Sequence, residues 1–180
     1  MSSYIPTNLI SITDGQIYLS PTLFELGVLP AIDIGKSVSR VGDKAQLPVY
    51  HSLTSGLKLD HAQFEELETF ARFGTRLDER TRKILEHGRR IRAVLKQPEQ
   101  APVPVPEQIV LLVALNNGLF DEVPLAKMKE AETALREATG ELSEAVHQAF
   151  FSDKKLSETD LQAVLALCTK TLIPFKQTTE

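Results

Sequence analysis

The sequence is poor in the residues that build metal and covalent catalytic centres. It has one cysteine, Cys168, so no intrachain disulfide is possible, and we expect a reducing compartment. None of the four histidines stands at H-x-x-x-H or H-E-x-x-H spacing, and no G-x-S-x-G sequence is present. The sequence therefore predicts no metal site and no nucleophile elbow.

Long apolar runs and an excess of basic charge are also absent. The longest apolar run, residues 109–115, is far shorter than the ~20 residues that cross a bilayer. The N-terminal MSSYIPTN lacks the basic and apolar regions of a secretory signal. The net charge of −4 argues against a general nucleic-acid binder. We expect a cytoplasmic chain, or a peripheral part of a larger assembly, without direct membrane insertion.

The Gly35-Lys36-Ser37 sequence ends like a phosphate-binding P-loop but lacks the glycine that such a loop needs. The motif G-x-x-x-x-G-K-[ST] places a glycine five positions before Gly35, where this chain has Pro30. Proline has no N–H to donate to a phosphate. The spacing therefore excludes a working P-loop.

The composition changes at about Leu47. Residues 8–20 are rich in β-branched residues around Asp14-Gly15, which predicts short strands joined by a tight turn. Glycine and proline recur as far as Gly42, and the pattern is helical from Leu47 onward. We predict a short strand-and-loop region over residues 1–46 and a helical domain over residues 47–180.

Helix boundaries can be read from capping residues. Asp60 is predicted to begin a helix that ends near Phe73, and Asp78 to begin the next. An apolar seam follows, in which Gly88 predicts close approach of another backbone; its members are Ile84, Gly88, Ile91 and Leu95.

Four prolines make residues 97–106 a stiff connector that cannot be helical. The pattern after it predicts a helix over residues 107–116, ended by Asn117-Gly118. Helical segments over residues 125–149 and 157–172 complete the chain, the last one headed by a Ser-x-x-Asp capping box.

Residues 80–92, RTRKILEHGRRIR, form the most basic stretch. Five of its cations lie off the apolar seam and are predicted to be solvated; they are Arg82, Lys83, Arg89, Arg90 and Arg92. An alternative is a docking face for an acidic protein partner. The lack of aromatic residues that could stack on bases argues against nucleic acid.

Five stretches of the chain resemble, in order and spacing, the alpha subunit of F-type ATP synthase. They read IPTNLISITDGQIYLS, PAIDIGKSVSRVG, FARFGTRLD and LKQPEQAP followed by EQIVLLVA, within residues 2–121. The resemblance implies a mainly α fold, in which a C-terminal helical bundle follows a short β/loop remnant of a RecA-like nucleotide-binding domain. The family's Walker A and Walker B segments have no counterpart here, so no activity is expected of this chain alone.

The resemblance also assigns roles to two residues that the sequence alone leaves as a surface arginine and a turn serine. Arg40 matches the arginine finger that the alpha subunit places in the catalytic site of the adjacent beta subunit. Ser11 matches a residue near the phosphate end of that site. A guanidinium forks well onto phosphate oxygens, and it keeps its charge in proteins.

A second set of residues matches the adenine pocket of the family's non-catalytic nucleotide site. Phe24, Pro30 and Gln97 agree with the family pattern. Leu29 replaces an arginine, and Glu99 replaces a glutamine, and both changes are expected to weaken the site. The resemblance implies ATP or ADP with Mg in the complete subunit and no cofactor for this part alone.

The family's setting supplies the remaining expectations. The partners implied are the beta subunit and the central-stalk gamma subunit, in rotary ATP synthesis or hydrolysis coupled to ion transport, peripheral to the inner or plasma membrane. Thr75-Arg76 departs from the family's Ser-Asp in a loop that faces the stalk, so the contact with the rotating subunit is expected to change. The alternative is a free-standing helical interaction module derived from such a subunit, which would dock through residues 80–92.

Overall fold

The structure is a computed structural model that describes residues 4–71 and 77–176. The predicted helix end at Phe73 and the loop residues Thr75-Arg76 lie outside the described residues. The polypeptide divides into two compact units. The first runs to Gln46 and also includes Lys96–Glu99, and the second comprises Leu47–Leu95 and the residues from Gln100 onward. The first unit thus takes in part of the proline-rich connector, which the sequence analysis had assigned to the helical domain.

The first unit combines short helices with a two-stranded antiparallel sheet. Its elements in sequence order are α1 Tyr4–Ile12, β1 Gly15–Gln16, α2 Pro21–Glu25, β2 Val38–Ser39 and α3 Gly42–Ala45. In the sheet Gly15 pairs with Ser39 and Gln16 with Val38. Glycine is needed at position 15, because a Cβ there would lie 2.7 Å from the Val38 carbonyl oxygen.

The expected strand before Asp14 is wrong, because residues 8–12 belong to helix α1. The Ser11 hydroxyl donates to the Asn8 carbonyl at 2.8 Å, and the Thr13 hydroxyl donates to the Leu9 carbonyl at 2.9 Å. These are the backward bonds that serine and threonine make in a helix. The predicted hairpin is also wrong, since the partner of β1 is β2, more than twenty residues further along the sequence.

The second unit is helical, which confirms the predicted fold class. Its α-helices are α4 Pro48–Ala71, α5 Glu79–Val94, α6 Val105–Asn116, α7 Met128–Ala138, α8 Glu144–Phe150 and α9 Glu158–Leu172. Single 3-10 turns lie at Leu125–Lys127, Thr139–Glu141 and Ile173–Phe175.

The centre of the second unit is α6, which contacts α4, α7, α8 and α9. Ile109, Val110, Val113 and Ala114 on this helix are completely buried. A helix that is apolar on all sides must lie inside a bundle, so the run that is too short for a membrane serves as the core. Asn117 caps α6 and Gly118 follows with a φ of 64°, as the sequence predicted.

The helix boundaries were partly predicted. Asp78 caps α5 by accepting a hydrogen bond from the Thr81 N–H at 2.7 Å, and Ser157 caps α9 by accepting from the Asp160 N–H at 3.1 Å. Asp60 does not begin a helix, because α4 has begun at Pro48 and buries Val49 in the core.

Three further predictions need correction. The connector predicted over residues 97–106 is not free of helix, because α6 begins at Val105 and includes Pro106, and proline is tolerated in the first turn of a helix. The segment 125–149 is not a continuous helix, since α7 stops at Ala138 and Ser143 caps the separate helix α8. The seam on α5 is shorter than predicted, since Leu95 is exposed and Ile84 is only half-buried.

Gly88 leaves room for an aromatic ring, whereas the sequence predicted the close approach of another backbone. A Cβ at this position would overlap the Cγ atom of Phe64, a fully buried residue of α4. The guanidinium of Arg92 covers the same ring at 4.4 Å from its centroid. Helices α4 and α5 are therefore locked together by a ring that lies between a glycine and an arginine.

The basic stretch is not a fully solvated face. Arg90 is buried and donates to the Val123 carbonyl at 3.1 Å and to the Glu86 carbonyl at 3.0 Å. Arg92 forms a bidentate ion pair with Glu68 at 3.0 and 2.9 Å. The prediction was wrong for these two cations because Val123 and Glu68 lie on other segments of the second unit, which the helix pattern of α5 alone does not reveal.

Candidate functional site

The segment from Pro30 to Arg40 is shaped by Asp33. One oxygen of this carboxylate accepts a hydrogen bond from the Lys36 N–H at 3.0 Å, and the other contacts the Lys36 ammonium at 2.7 Å. The bond from Lys36 holds the pKa of the Asp33 carboxyl below its usual value. The ammonium of Lys36 also lies 4.9 Å from the ring centroid of Tyr18. Lys36, which stands where a P-loop would have its lysine, is thus bound to another residue of the same turn.

Ser37 connects this turn to the segment around Tyr18. Its hydroxyl donates to the Asp33 carbonyl at 2.6 Å and accepts from the Tyr18 N–H at 3.0 Å. The Asp33 N–H in turn donates to the Tyr18 carbonyl at 2.9 Å. These bonds fix the position of the backbone between the turn and β2.

Arg40 has a fixed backbone and a side chain without a partner among the described residues. Its N–H donates to the Asp14 carbonyl at 2.7 Å, directly after the pairing of Ser39 with Gly15. The hydroxyl of Ser39 accepts from the Gly42 N–H at 2.8 Å. The side chain of Arg40 is exposed, and its guanidinium makes no hydrogen bond or ion pair with any described residue. The guanidinium of Arg40 is therefore exposed, while its backbone is fixed by hydrogen bonds.

Ser11 lies in the same unit, on the exposed last turn of α1. The residue that accepts the Arg40 N–H bond, Asp14, follows it by three positions. The Ser11 hydroxyl proton is already donated to the Asn8 carbonyl. In this conformation Ser11 therefore presents only acceptor lone pairs to its surroundings.

Leu29 is the meeting point of two shallow cavities in the first unit. One cavity, of about 250 Å³, is lined by Leu29, Pro30, Gln97, Pro98 and Glu99. The other, of about 430 Å³, is lined by Leu19, Ser20, Pro21, Phe24, Glu25, Leu29 and Ala31. Leu29, one of the two departures from the family pattern, thus lines a cavity with Phe24 and another with Pro30, Gln97 and Glu99. The two cavities together include the three residues that the resemblance assigns to an adenine pocket and both departures.

Backbone bonds hold the walls of both cavities. The Gln97 N–H donates to the Leu29 carbonyl at 3.0 Å, which fixes the connector beside the cis peptide bond before Pro30. Ser20 caps α2 by accepting from the Leu23 N–H at 3.4 Å, and its own N–H donates to the Ala31 carbonyl at 2.8 Å. Phe24 is thus carried on a short helix tied to the segment opposite.

Sequence reasoning missed several lining residues. The sequence predicts Pro98 only as part of a stiff connector, and it predicts no site at Leu19, Pro21 or Ala31. No local pattern could have identified them, because residues 19–31 and 97–99 are distant in sequence. The one property that they share in the sequence is apolar character.

The remaining chemistry of the described residues is sparse. No group of three or more histidine, cysteine or acidic side chains is placed to hold a metal ion in the part of the protein that the structure describes. Within the same residues no helix is long and apolar enough to span a bilayer. Cys168 is buried, and burial raises the pKa of its thiol to about 12.

Two family models match the sequence. The C-terminal domain of the ATP synthase alpha/beta family matches residues 46–171, and the nucleotide-binding domain of the same family matches residues 1–39. The first match alone covers more than half of the 180 residues.

Individual relatives agree along nearly the whole sequence. "ATP synthase subunit alpha 1" of Psychromonas ingrahamii is 61% identical over 176 residues, which are 98% of this chain and 34% of the relative. "ATP synthase subunit alpha 2" of Albidiferax ferrireducens is 61% identical over 180 residues, 100% of this chain and 34% of the relative. "ATP synthase subunit alpha 2" of Nitrosospira multiformis is 62% identical over 165 residues, 92% of this chain and 32% of the relative.

The chain thus spans about a third of the length of these curated relatives. The family models, the relatives and the mainly helical fold agree with one another. This chain belongs to the ATP synthase alpha/beta family, and within that family it is similar to the alpha subunits of F-type ATP synthase.

Proposed function

We propose that this chain is part of an F-type ATP synthase alpha subunit and that Arg40 acts as an arginine finger in the catalytic site of an adjacent beta subunit. The observation that carries the proposal is the contrast at Arg40 between an anchored backbone and an exposed guanidinium that has no partner among the described residues. A finger must reach a charge on another subunit. An arginine already paired within its own subunit would first have to break that pair.

The chemistry asked of Arg40 is stabilisation of charge in the transition state. During phosphoryl transfer, negative charge spreads over the oxygens of the transferred group, and a guanidinium fork matches them. A finger supplied in trans contributes ~10³–10⁵ in rate, or roughly 4–7 kcal/mol of barrier. The bond from the Arg40 N–H to Asp14 helps here, because a group that is already oriented has less to reorganise during the reaction.

Ser11 is proposed to lie near the phosphate end of the same site, in a lesser role. Its hydroxyl proton is directed to the Asn8 carbonyl, so it must rotate before it can donate to a phosphate oxygen. We therefore assign the main electrostatic role to Arg40.

The cavities around Leu29 fit the base end of a nucleotide, and they do not fit its phosphates. Leu29, Pro30, Pro98 and Phe24 supply apolar walls for a flat ring, and Gln97 supplies an amide that can read its edge. No arginine or lysine stands among the described residues that line them. We propose that the complete subunit holds ATP or ADP with Mg at this non-catalytic site, and that this part alone neither holds it tightly nor hydrolyses it.

The setting of the proposal follows from the family. The beta subunit and the central-stalk gamma subunit are the proposed partners, in a complex peripheral to the membrane whose ATP turnover is coupled to ion transport. The helical second unit has a structural and regulatory role in this proposal.

The test replaces Arg40 in the assembled alpha–beta complex. Arg40→Ala is expected to lower steady-state ATP hydrolysis by ~10³-fold or more while nucleotide binding changes by no more than a few-fold, because the finger acts in the transition state. Lys44→Ala removes another exposed cation of the first unit and is the matched control. Hydrolysis by the Arg40→Ala complex within a few-fold of the unaltered complex would refute the assignment.

The alternative function, a free-standing module that docks an acidic partner through residues 80–92, has lost support. Arg90 and Arg92 are engaged inside the second unit, and Lys83 lies 3.1 Å from Glu79. Among the cations of this stretch, the exposed ones for which no hydrogen bond or ion pair is seen among the described residues are Arg80, Arg82 and Arg89.

A further inference from the structure

The C-terminal end of α6 carries an Asn-Gly pair, Asn117-Gly118, at which a protein backbone can rearrange without an enzyme. The backbone nitrogen that follows an asparagine can attack the side-chain amide carbon and release ammonia. A side chain on the following residue hinders this attack, and glycine has none. Asn117 is exposed, so water and hydroxide can reach its amide.

The reaction that this pair allows is deamidation, and it needs only water and hydroxide. Hydroxide removes the proton of the Gly118 N–H, and the nitrogen then forms a bond to Cγ of Asn117. The bond between Cγ and Nδ2 breaks, and Nδ2 takes up a proton from water and leaves as ammonia. Water then opens the resulting succinimide ring at either of its two carbonyl carbons, which gives aspartate or isoaspartate at this position.

The folded turn occupies the nitrogen that would attack. α6 ends in a Schellman motif, in which the Gly118 N–H donates to the Leu115 carbonyl at 3.0 Å. The Leu119 N–H donates to the Ala114 carbonyl, also at 3.0 Å. A proton held in a backbone hydrogen bond is protected from hydroxide until that bond opens. The attack on Asn117 therefore requires the turn to open first.

The side chain of Asn117 is held as well. Its Nδ2 donates to the Val113 carbonyl at 2.8 Å, so rotation of the amide toward the Gly118 nitrogen would break this bond. Nδ2 is also the group that must leave. We propose that Asn117-Gly118 is a site of spontaneous deamidation and that opening of the C-terminal turn of α6 sets its rate.

The product fits the turn less well than asparagine does. A carboxylate cannot donate to the Val113 carbonyl, and it adds negative charge at the end of the helix where the dipole is negative. The Asp121 carboxylate lies close by, since its Oδ2 would be 2.9 Å from a Cβ on Gly118. Isoaspartate also lengthens the backbone, which displaces the Leu119 N–H from the Ala114 carbonyl. The modification should therefore weaken the end of α6.

The experiment incubates the 180-residue protein at mildly alkaline pH, in buffer and in concentrated guanidinium chloride. Peptide mapping by mass spectrometry measures deamidation of each asparagine over time. Reaction at Asn117 is expected to be at least about tenfold slower in the folded protein, because two backbone hydrogen bonds must break. Asn8 is the internal control, since the side chain of Leu9 hinders the attack, and it should be the slower site in guanidinium chloride.

Two variants distinguish opening of the turn from unfolding of the whole unit. Leu119→Ala removes a side chain that packs from the turn against the core, and it should speed deamidation of the folded protein several-fold. Ser157→Ala removes the cap of α9 and leaves the turn intact, so the rate should not change.

Three results would overturn the proposal. If Asn117 did not react in guanidinium chloride, it would not be a deamidation site. Equal rates in the folded and unfolded protein would show that the turn gives no protection, and equal acceleration by Leu119→Ala and Ser157→Ala would assign the rate to global unfolding. None of these results bears on the Arg40 proposal, which is decided by hydrolysis in the assembled complex.

Discussion

The contact between Gly88 and Phe64 gives the most sharply defined stability prediction. Gly88→Ala places a methyl group in overlap with Cγ and Cδ2 of Phe64, more than one ångström inside the separation of about 3.5–4.0 Å at which carbon atoms normally lie. Phe64 cannot move outward, because it is completely buried and Arg92 covers its ring. The overlap must be relieved by separation of α4 from α5.

The magnitude is a difference between two opposing effects. Overpacking of a core costs about 1–3 kcal/mol, and an overlap of this size lies at the upper end of that range. Replacement of a helical glycine by alanine stabilises the helix by about 1 kcal/mol, because alanine has the higher helix propensity. The net expectation is a loss of about 2 kcal/mol in the free energy of unfolding, or roughly 4–8 °C in Tm.

The protein supplies its own matched control for this prediction. Gly56 lies within α4, is exposed, and has no atom within 4 Å of an added Cβ, so Gly56→Ala should stabilise the protein by about 1 kcal/mol. Urea unfolding followed by circular dichroism measures both variants. Stabilisation by Gly88→Ala similar to that of Gly56→Ala would refute the packing argument.

A double-mutant cycle gives a second check on the same contact. In a Phe64→Leu background the smaller side chain leaves room for the new methyl group. Gly88→Ala should then cost at least about 1 kcal/mol less than it does beside Phe64. If the effects of the two substitutions on stability were simply additive, the cost of Gly88→Ala would not come from its contact with Phe64.

Three further predictions concern single groups of the helical unit. The hydrogen bond to Asp121 raises the pKa of His87. The stabilising effect of this bond should therefore be complete below the usual histidine pKa of 6.5 and lost as pH rises through the pKa of the folded state. The difference in stability between the unaltered protein and Asp121→Asn should shrink between pH ~6 and ~9, and a constant difference would contradict this. The Cys168 thiol, with a pKa of about 12, should not react with a thiol reagent at neutral pH until the protein unfolds, and rapid reaction of the native protein would show the site to be open. Ser157→Ala should lower the free energy of unfolding by about 1 kcal/mol through loss of the α9 cap, and an unchanged urea midpoint would contradict it.

Features that depend on neighbours in the sequence were predictable. The caps at Asp78, Ser157 and Asn117 act on backbone groups within three or four residues, so the local sequence contains the whole interaction. The apolar run at the centre of α6 was recognisable for the same reason.

Features that depend on distant partners were not predictable. Arg90 and Arg92 look like solvated cations on a helical wheel, and only the folded protein brings Val123 and Glu68 to them. The helix over residues 8–12 was misread because β-branched residues favour strands, although their local preference is weak and tertiary context overrides it.

The candidate site shows the same division. From its own sequence context Arg40 is a surface arginine, and its proposed role comes only from the resemblance. The anchoring bond to Asp14 and the bond between Gln97 and Leu29 join residues far apart in the sequence, which no local pattern encodes. The sequence supplied the chemical groups, and folding determined which of them meet.

The central claim, that Arg40 serves the transition state of a neighbouring subunit, is tested most directly with a transition-state analogue. Alpha–beta complexes that contain Arg40 or Arg40→Ala are compared for binding of Mg-ADP alone and of Mg-ADP with aluminium fluoride, which imitates the transferred phosphoryl group. The account predicts that Arg40→Ala weakens binding of the analogue by ~10³-fold or more and changes binding of Mg-ADP by no more than a few-fold. Equal retention of the analogue by both complexes would contradict it.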